Sequence, residues 1–154
     1  MIIATFAAGC FWGVEAKFRQ VEGVISTRVG YSNGTTTDPD YKKVCAGDTG
    51  HAEVIEVTFN PDIVSFESLL GVFWKIHNPT TPNRQGPDIG TQYRSAVFYH
   101  DEQQRQQTEL VKNTLNYAHI FAGPIVTEIT AAGTFYPAEE YHQCYLEKKN
   151  MTSC

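Results

Sequence analysis

The sequence predicts an α+β sandwich of the ferredoxin-like type, with a mixed sheet, two long loops of the kind that carry catalytic residues, and a C-terminal tail. Strand-like and helix-like patterns alternate along 154 residues in the order β-α-β, loop, β-α, loop, β-α-β, tail. The long loops interrupt the alternation and favour this class over an all-parallel sheet. Because 42% of the residues are hydrophobic, we expect one compact domain over residues 1–154, with the tail from about residue 135.

The N-terminal half is predicted to contain three strands and one helix. Residues 2–8, 24–29 and 52–59 have the composition of strands, and apolar residues recur at helical spacing from Val14 to Val21. Between the second and third strands, residues 30–50 are rich in Gly, Asn, Thr and Asp and show no periodicity. Loops of this length in compact domains are often functional.

The next segment contains the clearest amphipathic helix of the chain. From residue 66 to 77, apolar side chains follow the i, i+3, i+4, i+7 pattern. A second loop, residues 78–92, carries three prolines and two glycines, and residues 94–100 have the pattern of a strand.

The C-terminal part is predicted to contain a helix, a strand and a short tail helix. Asp101 with Gln104 three residues later resembles a capping box, and the helix that follows runs to about His119. Residues 125–130 read as a final strand, and residues 138–148 as a helix in the tail.

Composition excludes several classes of protein. The net charge is 12 − 17 = −5 and no long basic run occurs, so neither nucleic acid nor an anionic membrane is an expected partner. The longest apolar run, residues 1–12, is too short to span a bilayer and lacks a basic flank. We expect a cytoplasmic protein.

Four cysteines are present, too sparse for a secreted disulfide scaffold and without the C-x-x-C spacing of common redox and zinc sites: Cys10, Cys45, Cys144 and Cys154. Cys10 lies at a strand-to-helix junction, where helix N–H groups and the macrodipole favour a thiolate and lower its pKa. Phe11 and Trp12 add an apolar surface beside it. The alternative is a buried structural cysteine.

The long loops carry further candidates. Glu53, entering a strand, could be buried and stay protonated, and could then donate a proton. His51 could pair with Cys10 as a base, and the hydroxyl of Tyr41 or Tyr93 could hydrogen-bond a polar oxygen. For each of these residues a structural role is the alternative, as it is for Asp88 beside the second loop.

The tail cysteines could take part in redox chemistry. If Cys10 is oxidised to a sulfenic acid, Cys144 or Cys154 could condense with it to a disulfide. The alternatives are a helix-face residue for Cys144 and a stray thiol for Cys154. Cys45 is interpreted as structural.

Four segments together resemble the methionine sulfoxide reductase A family. Residues 9–15 read GCFWGVE, residues 39–45 PDYKKVC, residues 47–53 GDTGHAE and residues 88–95 DIGTQYRS, in the order and lettering of that family's signatures. The first segment is long and highly specific, and the matches span nearly the whole chain.

The resemblance implies a set of roles. Cys10 would be the nucleophile that attacks the sulfoxide sulfur, and Glu53 the acid that protonates the sulfoxide oxygen, with Tyr41 and Tyr93 hydrogen-bonding that oxygen. Phe11 and Trp12 would hold the substrate methyl group, and Asp88 would help to organise the pocket, partly through water. We expect Asp88 and His51 to belong to the substrate-binding residues.

The resemblance also implies the wider reaction. It implies specificity for the S epimer of free or protein-bound methionine sulfoxide, since a separate type of reductase acts on each sulfoxide epimer. It further implies an intramolecular disulfide, thioredoxin as the external reductant, no metal and no cofactor, and a monomer that repairs oxidised proteins. The zinc-site cysteines of the partner B-type domain are absent from this sequence.

The tail departs from the family. Relatives commonly carry a resolving cysteine in a Gly-rich coil lettered KNPxGYC, whereas residues 149–154 read KNMTSC. Cys154 roughly aligns with that cysteine, and Cys144 stands where relatives usually have none. We expect Cys154 to be the resolving residue, because a mobile terminus helps it to reach Cys10. The alternative is that Cys144 resolves directly or passes the disulfide on.

Two other functions are compatible with parts of the sequence. One is a cysteine hydrolase or acyltransferase that uses Cys10, His51 and Asp88, which leaves the aromatic pair and the tail cysteines without a role. The other is a non-catalytic module that binds methionine-containing peptides.

Overall fold

The computed structural model describes residues 1–149. The strands are β1 Ile2–Ala8, β2 Val24–Ser32, β3 Ala52–Phe59, β4 Arg84–Gln85, β5 Asp88–Ile89, β6 Ser95–Tyr99, β7 Glu128–Ala131 and β8 Tyr136–Pro137. The helices are α1 Phe11–Arg19, α2 Tyr41–Cys45, α3 Phe66–Lys75, α4 Glu102–Tyr117 and α5 Tyr145–Lys148, with 3-10 turns at Thr91–Tyr93 and Glu140–His142. Within the described residues, no helix is long and apolar enough to cross a membrane.

The main sheet has the strand order β7-β6-β1-β3-β2-β8. Its four inner strands, β6-β1-β3-β2, are antiparallel throughout, as in a β-α-β-β-α-β ferredoxin-like core. The edge strand β7 runs parallel to β6, and β8 runs antiparallel to β2. The predicted α+β class with a mixed sheet is therefore confirmed.

The main core lies between one face of the sheet and helices α1 and α3. Alternate residues of β3 (Ile55, Val57 and Phe59) point to this face, where Phe18 of α1 and Phe73 of α3 meet them. The helix predicted over residues 66–77 is present because its apolar stripe covers this sheet face. The opposite face holds a smaller apolar cluster.

The first long loop is more ordered than its composition suggests. Strand β2 continues to Ser32 rather than ending at Val29, because its second half pairs with β3 and β8. Within the loop, Asp40 accepts a hydrogen bond from the Lys43 N–H at 2.8 Å and starts the short helix α2. A helix cap and pairing with distant strands thus order a segment whose sequence shows no periodicity.

Helix α4 begins as predicted, with Asp101 accepting a hydrogen bond from the Gln104 N–H at 2.8 Å. The strand predicted from residue 125 is wrong at its start, since β7 begins at Glu128. The Ile125 N–H is used by the Asn116 side chain and that of Val126 by the Pro79 carbonyl, so neither can join the sheet ladder.

The tail helix predicted over residues 138–148 is also wrong. Residues 136–137 form β8, and the remainder forms a 3-10 turn and the short α5, separated by Cys144. Cys144 has φ 52° and ψ 39°, in the left-handed region, which interrupts a right-handed helix. The amide N–H of Cys144 binds Glu15 instead.

Candidate active site

Cys10 stands at the turn from β1 into α1. Gly9 has φ 95°, and a Cβ on it would lie 2.7 Å from the Gln85 side chain, so both its conformation and its surroundings require glycine. Cys10 is the N-cap of α1, which places its side chain beside the positive end of the helix. The strand, the glycine and the helix start together fix the cysteine, as the sequence predicted.

Glu53 is buried beside that helix start. It shares the helix-covered face of β3 with Ile55 and Val57 and is 2% exposed. Its Oε1 accepts the Phe11 backbone N–H at 3.2 Å, whereas Oε2 has no hydrogen-bond partner among the described residues. Burial raises the pKa of Glu53 to about 8, opposed by the Phe11 hydrogen bond and assisted by the charge of Asp88. The carboxyl group is therefore mostly protonated at neutral pH.

Two tyrosines share the electrostatic environment of Glu53. Burial raises the pKa of Tyr93, and the charges of Glu53, Asp88 and Cys10 raise it further. Burial also raises the pKa of Tyr41, assisted by a hydrogen bond with the Cys45 side chain and by the charge of Glu53. Both phenols therefore stay protonated and able to donate hydrogen bonds at neutral pH.

The two aromatic residues beside Cys10 differ in exposure. Phe11 is fully buried and packs against Tyr31, with ring centroids 5.7 Å apart. Trp12 is half-buried, with Tyr145 stacked on it at 3.9 Å and Tyr41 at 6.5 Å. Of the two rings, Trp12 presents more surface to a ligand.

His142 was not among the residues singled out from the sequence. It is 1% exposed, and its Nδ1 accepts a hydrogen bond from Trp12 Nε1 at 2.9 Å. Its ring also contacts the ring of Tyr41, with centroids 4.5 Å apart. Its separation of 130 residues from Trp12 left no local signal that could have identified it.

His51 is occupied by the first loop. Its Nδ1 accepts the Gly34 N–H at 2.9 Å, and its Nε2 lies 2.6 Å from the Thr36 carbonyl oxygen, to which it donates. Because both ring nitrogens bind backbone groups, His51 is not placed to act as a base for Cys10. His51 therefore cannot serve as the catalytic base that the hypothesis of a cysteine hydrolase or acyltransferase requires.

Asp88 lies in the β4–β5 hairpin, which borders a cleft of about 290 Å³ beside Cys10. The cleft continues along α1 past Gly13 to Lys17 and has apolar walls that include Ile76. The hairpin therefore brings Asp88 to the cleft beside Cys10 from a distant part of the chain. Among the described residues, no group of three or more His, Cys, Asp or Glu side chains could hold a metal ion.

Cys144 is bound to α1 through Glu15. The Cys144 N–H donates to Glu15 Oε1 at 2.7 Å, and its thiol lies 4.0 Å from Glu15 Oε2. Burial raises the pKa of the Cys144 thiol, and the charge of Glu15 raises it further. The other predicted resolving residue, Cys154, lies outside the described residues.

Comparison with known proteins gives one consistent family. Residues 3–154 match the model of the family described as "Peptide methionine sulfoxide reductase". The chain is 59% identical to peptide methionine sulfoxide reductase MsrA of Methanothermobacter thermautotrophicus over 98% of this chain and 89% of that protein.

Solved structures show the same likeness. The reduced form of Mxr1 from Saccharomyces cerevisiae has a TM-score of 0.91 at 39% identity, over 97% of this chain and 86% of that chain. Mxr1 in complex with Trx2 has a TM-score of 0.66 at 26% identity, over 94% of this chain and 84% of that chain.

Proposed function

The chain belongs to the peptide methionine sulfoxide reductase family, and we propose that Cys10 is the nucleophile of its reaction on the S epimer. The enzyme reduces methionine sulfoxide, with thioredoxin as the reductant. The observation that carries the assignment of the site is the burial of Glu53, which raises its pKa to about 8, at the helix start that bears Cys10.

The first step is activation of the sulfoxide. Its sulfur is a poor electrophile until the oxygen takes up a proton or strong hydrogen bonds. Glu53 supplies the proton, since its raised pKa keeps it neutral at working pH. Tyr41 and Tyr93 donate hydrogen bonds to the same oxygen, for which their raised pKa values suit them.

The second step is attack of the Cys10 thiolate on sulfur. A sulfur–sulfur bond forms while the sulfoxide's sulfur–oxygen bond breaks and its protonated oxygen leaves as water. A water molecule then attacks Cys10 Sγ and breaks the sulfur–sulfur bond, which releases methionine and leaves Cys10 as a sulfenic acid. The sulfoxide is thus reduced by two electrons and Cys10 is oxidised by two. Trp12 contacts the substrate methyl group, and the buried Phe11 beside it completes the apolar surface. Asp88 helps to shape the pocket.

Recycling uses a second thiol. A tail cysteine condenses with the Cys10 sulfenic acid, releasing water and forming a disulfide that the thioredoxin dithiol reduces. We assign this role to Cys154. The contact of the Cys144 thiol with Glu15 Oε2 and the raised pKa of that thiol support the choice, since both make a Cys144 thiolate less available for attack.

The proposal also covers the domain organisation, the oligomeric state, the location and the substrates of the enzyme. We propose a single catalytic domain over residues 1–154, supported by one continuous six-stranded sheet and by the family match. We propose a cytoplasmic monomer without a prosthetic cofactor, whose substrates are free methionine sulfoxide and oxidised proteins. His51 serves the site by holding the loop that precedes Glu53.

The test is turnover of separated epimers. With a thioredoxin regenerating system, the enzyme should consume reducing equivalents with the S epimer and not with the R epimer. Cys10→Ser should abolish methionine formation while circular dichroism stays unchanged. Equal rates with both epimers, or methionine formation by the Cys10→Ser variant, would contradict the proposal.

A further inference from the structure

An arginine next to Tyr93 links the two segments that carry the proton donors of the site. Arg94 directly follows the 3-10 turn that ends at Tyr93, and its Nη1 donates to the Thr91 carbonyl of that turn at 2.9 Å. The same Nη1 donates at 3.1 Å to the carbonyl of Gly50, three residues before Glu53. One guanidinium nitrogen thus binds the backbone of both segments, although Gly50 and Arg94 are 44 residues apart along the chain.

The pairing of the main sheet places these two segments at one edge but does not join them. Strand β1 lies between β3, in which Glu53 is the second residue, and β6, which begins two residues after Tyr93. Both strands are antiparallel to β1, so both begin where β1 ends, with Ala8 opposite Ser95. Since neighbouring strands are about 4.8 Å apart, the starts of β3 and β6 are separated by roughly 10 Å. The Arg94 side chain connects the two sides of this gap.

The guanidinium group is itself held by strand β7. Arg94 Nε donates to Glu128 Oε1 at 3.0 Å, and Glu128 Oε2 accepts a hydrogen bond from the Thr130 hydroxyl at 2.9 Å. The Arg94 side chain is 15% exposed, so this ion pair is better shielded from water than a pair on the open surface. A guanidinium is planar and donates in fixed directions, so fixing Nε also directs Nη1 toward the two carbonyl groups.

We propose that Arg94 is a positioning residue that sets the distance between the Tyr93 hydroxyl and the Glu53 carboxyl group, so that both donate to the same sulfoxide oxygen. This inference rests on the proposed function and adds to it a residue that does not touch the reacting atoms. The oxygen takes up a proton as its bond to sulfur breaks, so the correct spacing of the two donors counts most in the transition state. Loss of Arg94 should therefore appear in the rate at saturation rather than in substrate affinity.

Single-turnover kinetics with S-methionine sulfoxide test this role without any contribution from recycling. Arg94→Met keeps an unbranched side chain but removes every donor, and we expect the rate at saturation to fall about tenfold, with the half-saturating concentration within about twofold. Arg94→Lys keeps one charged donor group and should bring the rate to within about threefold of wild type. Arg105→Met, which removes an arginine paired with two glutamates on α4, is the matched control.

A double-mutant cycle with Tyr93→Phe separates positioning from a general loss of stability. Without the Tyr93 hydroxyl its distance from Glu53 no longer matters, so in that background Arg94→Met should lower the rate less than about threefold further. A purely structural defect would lower the rate by the same factor in both backgrounds. An undiminished effect in Tyr93→Phe, or an unchanged rate at saturation in Arg94→Met, would overturn the inference. If the wild-type enzyme forms no methionine, the proposed function itself fails instead.

A variant of the partner carboxylate keeps the inference testable if Arg94→Met does not fold. Glu128→Leu leaves Arg94 in place but removes the acceptor that orients its guanidinium group, at a side chain that is 37% exposed. We expect the rate at saturation to fall about threefold in this variant, and the loss to disappear in the Tyr93→Phe background. A wild-type rate in folded Glu128→Leu protein would refute the inference.

Discussion

The backbone N–H of Phe11 donates to Glu53 Oε1 at 3.2 Å, whereas Glu53 Oε2 is buried without a partner among the described residues. One carboxyl oxygen therefore fixes the group to the start of α1, next to Cys10. The other oxygen is left to carry the proton of the neutral acid. The burial that fixes this side chain therefore also raises its pKa to about 8.

Replacing that acid should slow chemistry without unfolding the protein. In Glu53→Gln the amide oxygen can still accept the Phe11 N–H, but no proton can be delivered. We expect single-turnover methionine release to fall by about 10²–10³-fold, with Glu22→Gln on the surface as the matched control. Near-normal release in the Glu53 variant would show that the proton comes from another group.

The pH dependence of the wild-type enzyme should report the same group. The pKa of Glu53 is raised to about 8, so its protonated fraction falls as the pH rises through that value. Single-turnover release measured from pH 6 to pH 10 should decline above about pH 8. A rate that is flat across this range would contradict the assignment of Glu53 as the acid.

The two tyrosines should act together on the sulfoxide oxygen. Tyr41→Phe and Tyr93→Phe each remove one hydroxyl donor from a ring that otherwise remains in place. We expect each variant to lower the single-turnover rate about tenfold, and the double variant to lower it about 10²-fold. Tyr117→Phe, on the exposed side of α4, is the control, and rates in the tyrosine variants equal to the control would remove the hydroxyls from the mechanism.

The roles of the two tail cysteines can be distinguished by comparing single-turnover methionine release with continuous thioredoxin-driven turnover. Single-turnover release should survive in both Cys144→Ser and Cys154→Ser, since neither supplies the nucleophile. Thioredoxin-driven turnover should fail in Cys154→Ser and slow only severalfold in Cys144→Ser. Mass mapping of the disulfide after one oxidised turnover checks the pairing, and the reverse pattern would make Cys144 the direct resolving thiol.

A buried network beneath the start of β6 should make stability depend on pH. His77 Nδ1 donates to the Phe73 carbonyl at 2.6 Å, and its Nε2 accepts from the Ser95 hydroxyl at 2.7 Å. Burial lowers the pKa of His77 from 6.5 to about 4. As the pH falls between these values the unfolded chain gains the proton first, so the free energy of unfolding should fall by up to about 3 kcal/mol. Urea titrations of wild type and His77→Asn should differ in this window and run parallel above pH 6.5.

Much of the local structure could be predicted from the residues themselves. The spacing of apolar side chains predicted α3, and the Asp101 cap predicted the start of α4. The cap of α2 by Asp40 could have been found in the same way. Where hydrogen bonds came from elsewhere in the chain, as for Ile125 and Cys144, the sequence prediction was wrong.

The sequence by itself determined the fold class, the family and the position of Cys10 at a strand-to-helix turn, because periodicity, glycine and short motifs act over a few neighbouring residues. Only the tertiary structure decided that Glu53 is buried, which raises its pKa to about 8, and that His51 is held by the loop. It also joined His142 to Trp12 and Cys144 to Glu15, across 130 and 129 residues. Burial and hydrogen-bond geometry are properties of the packed molecule, since they depend on which distant segments the sheet brings against α1.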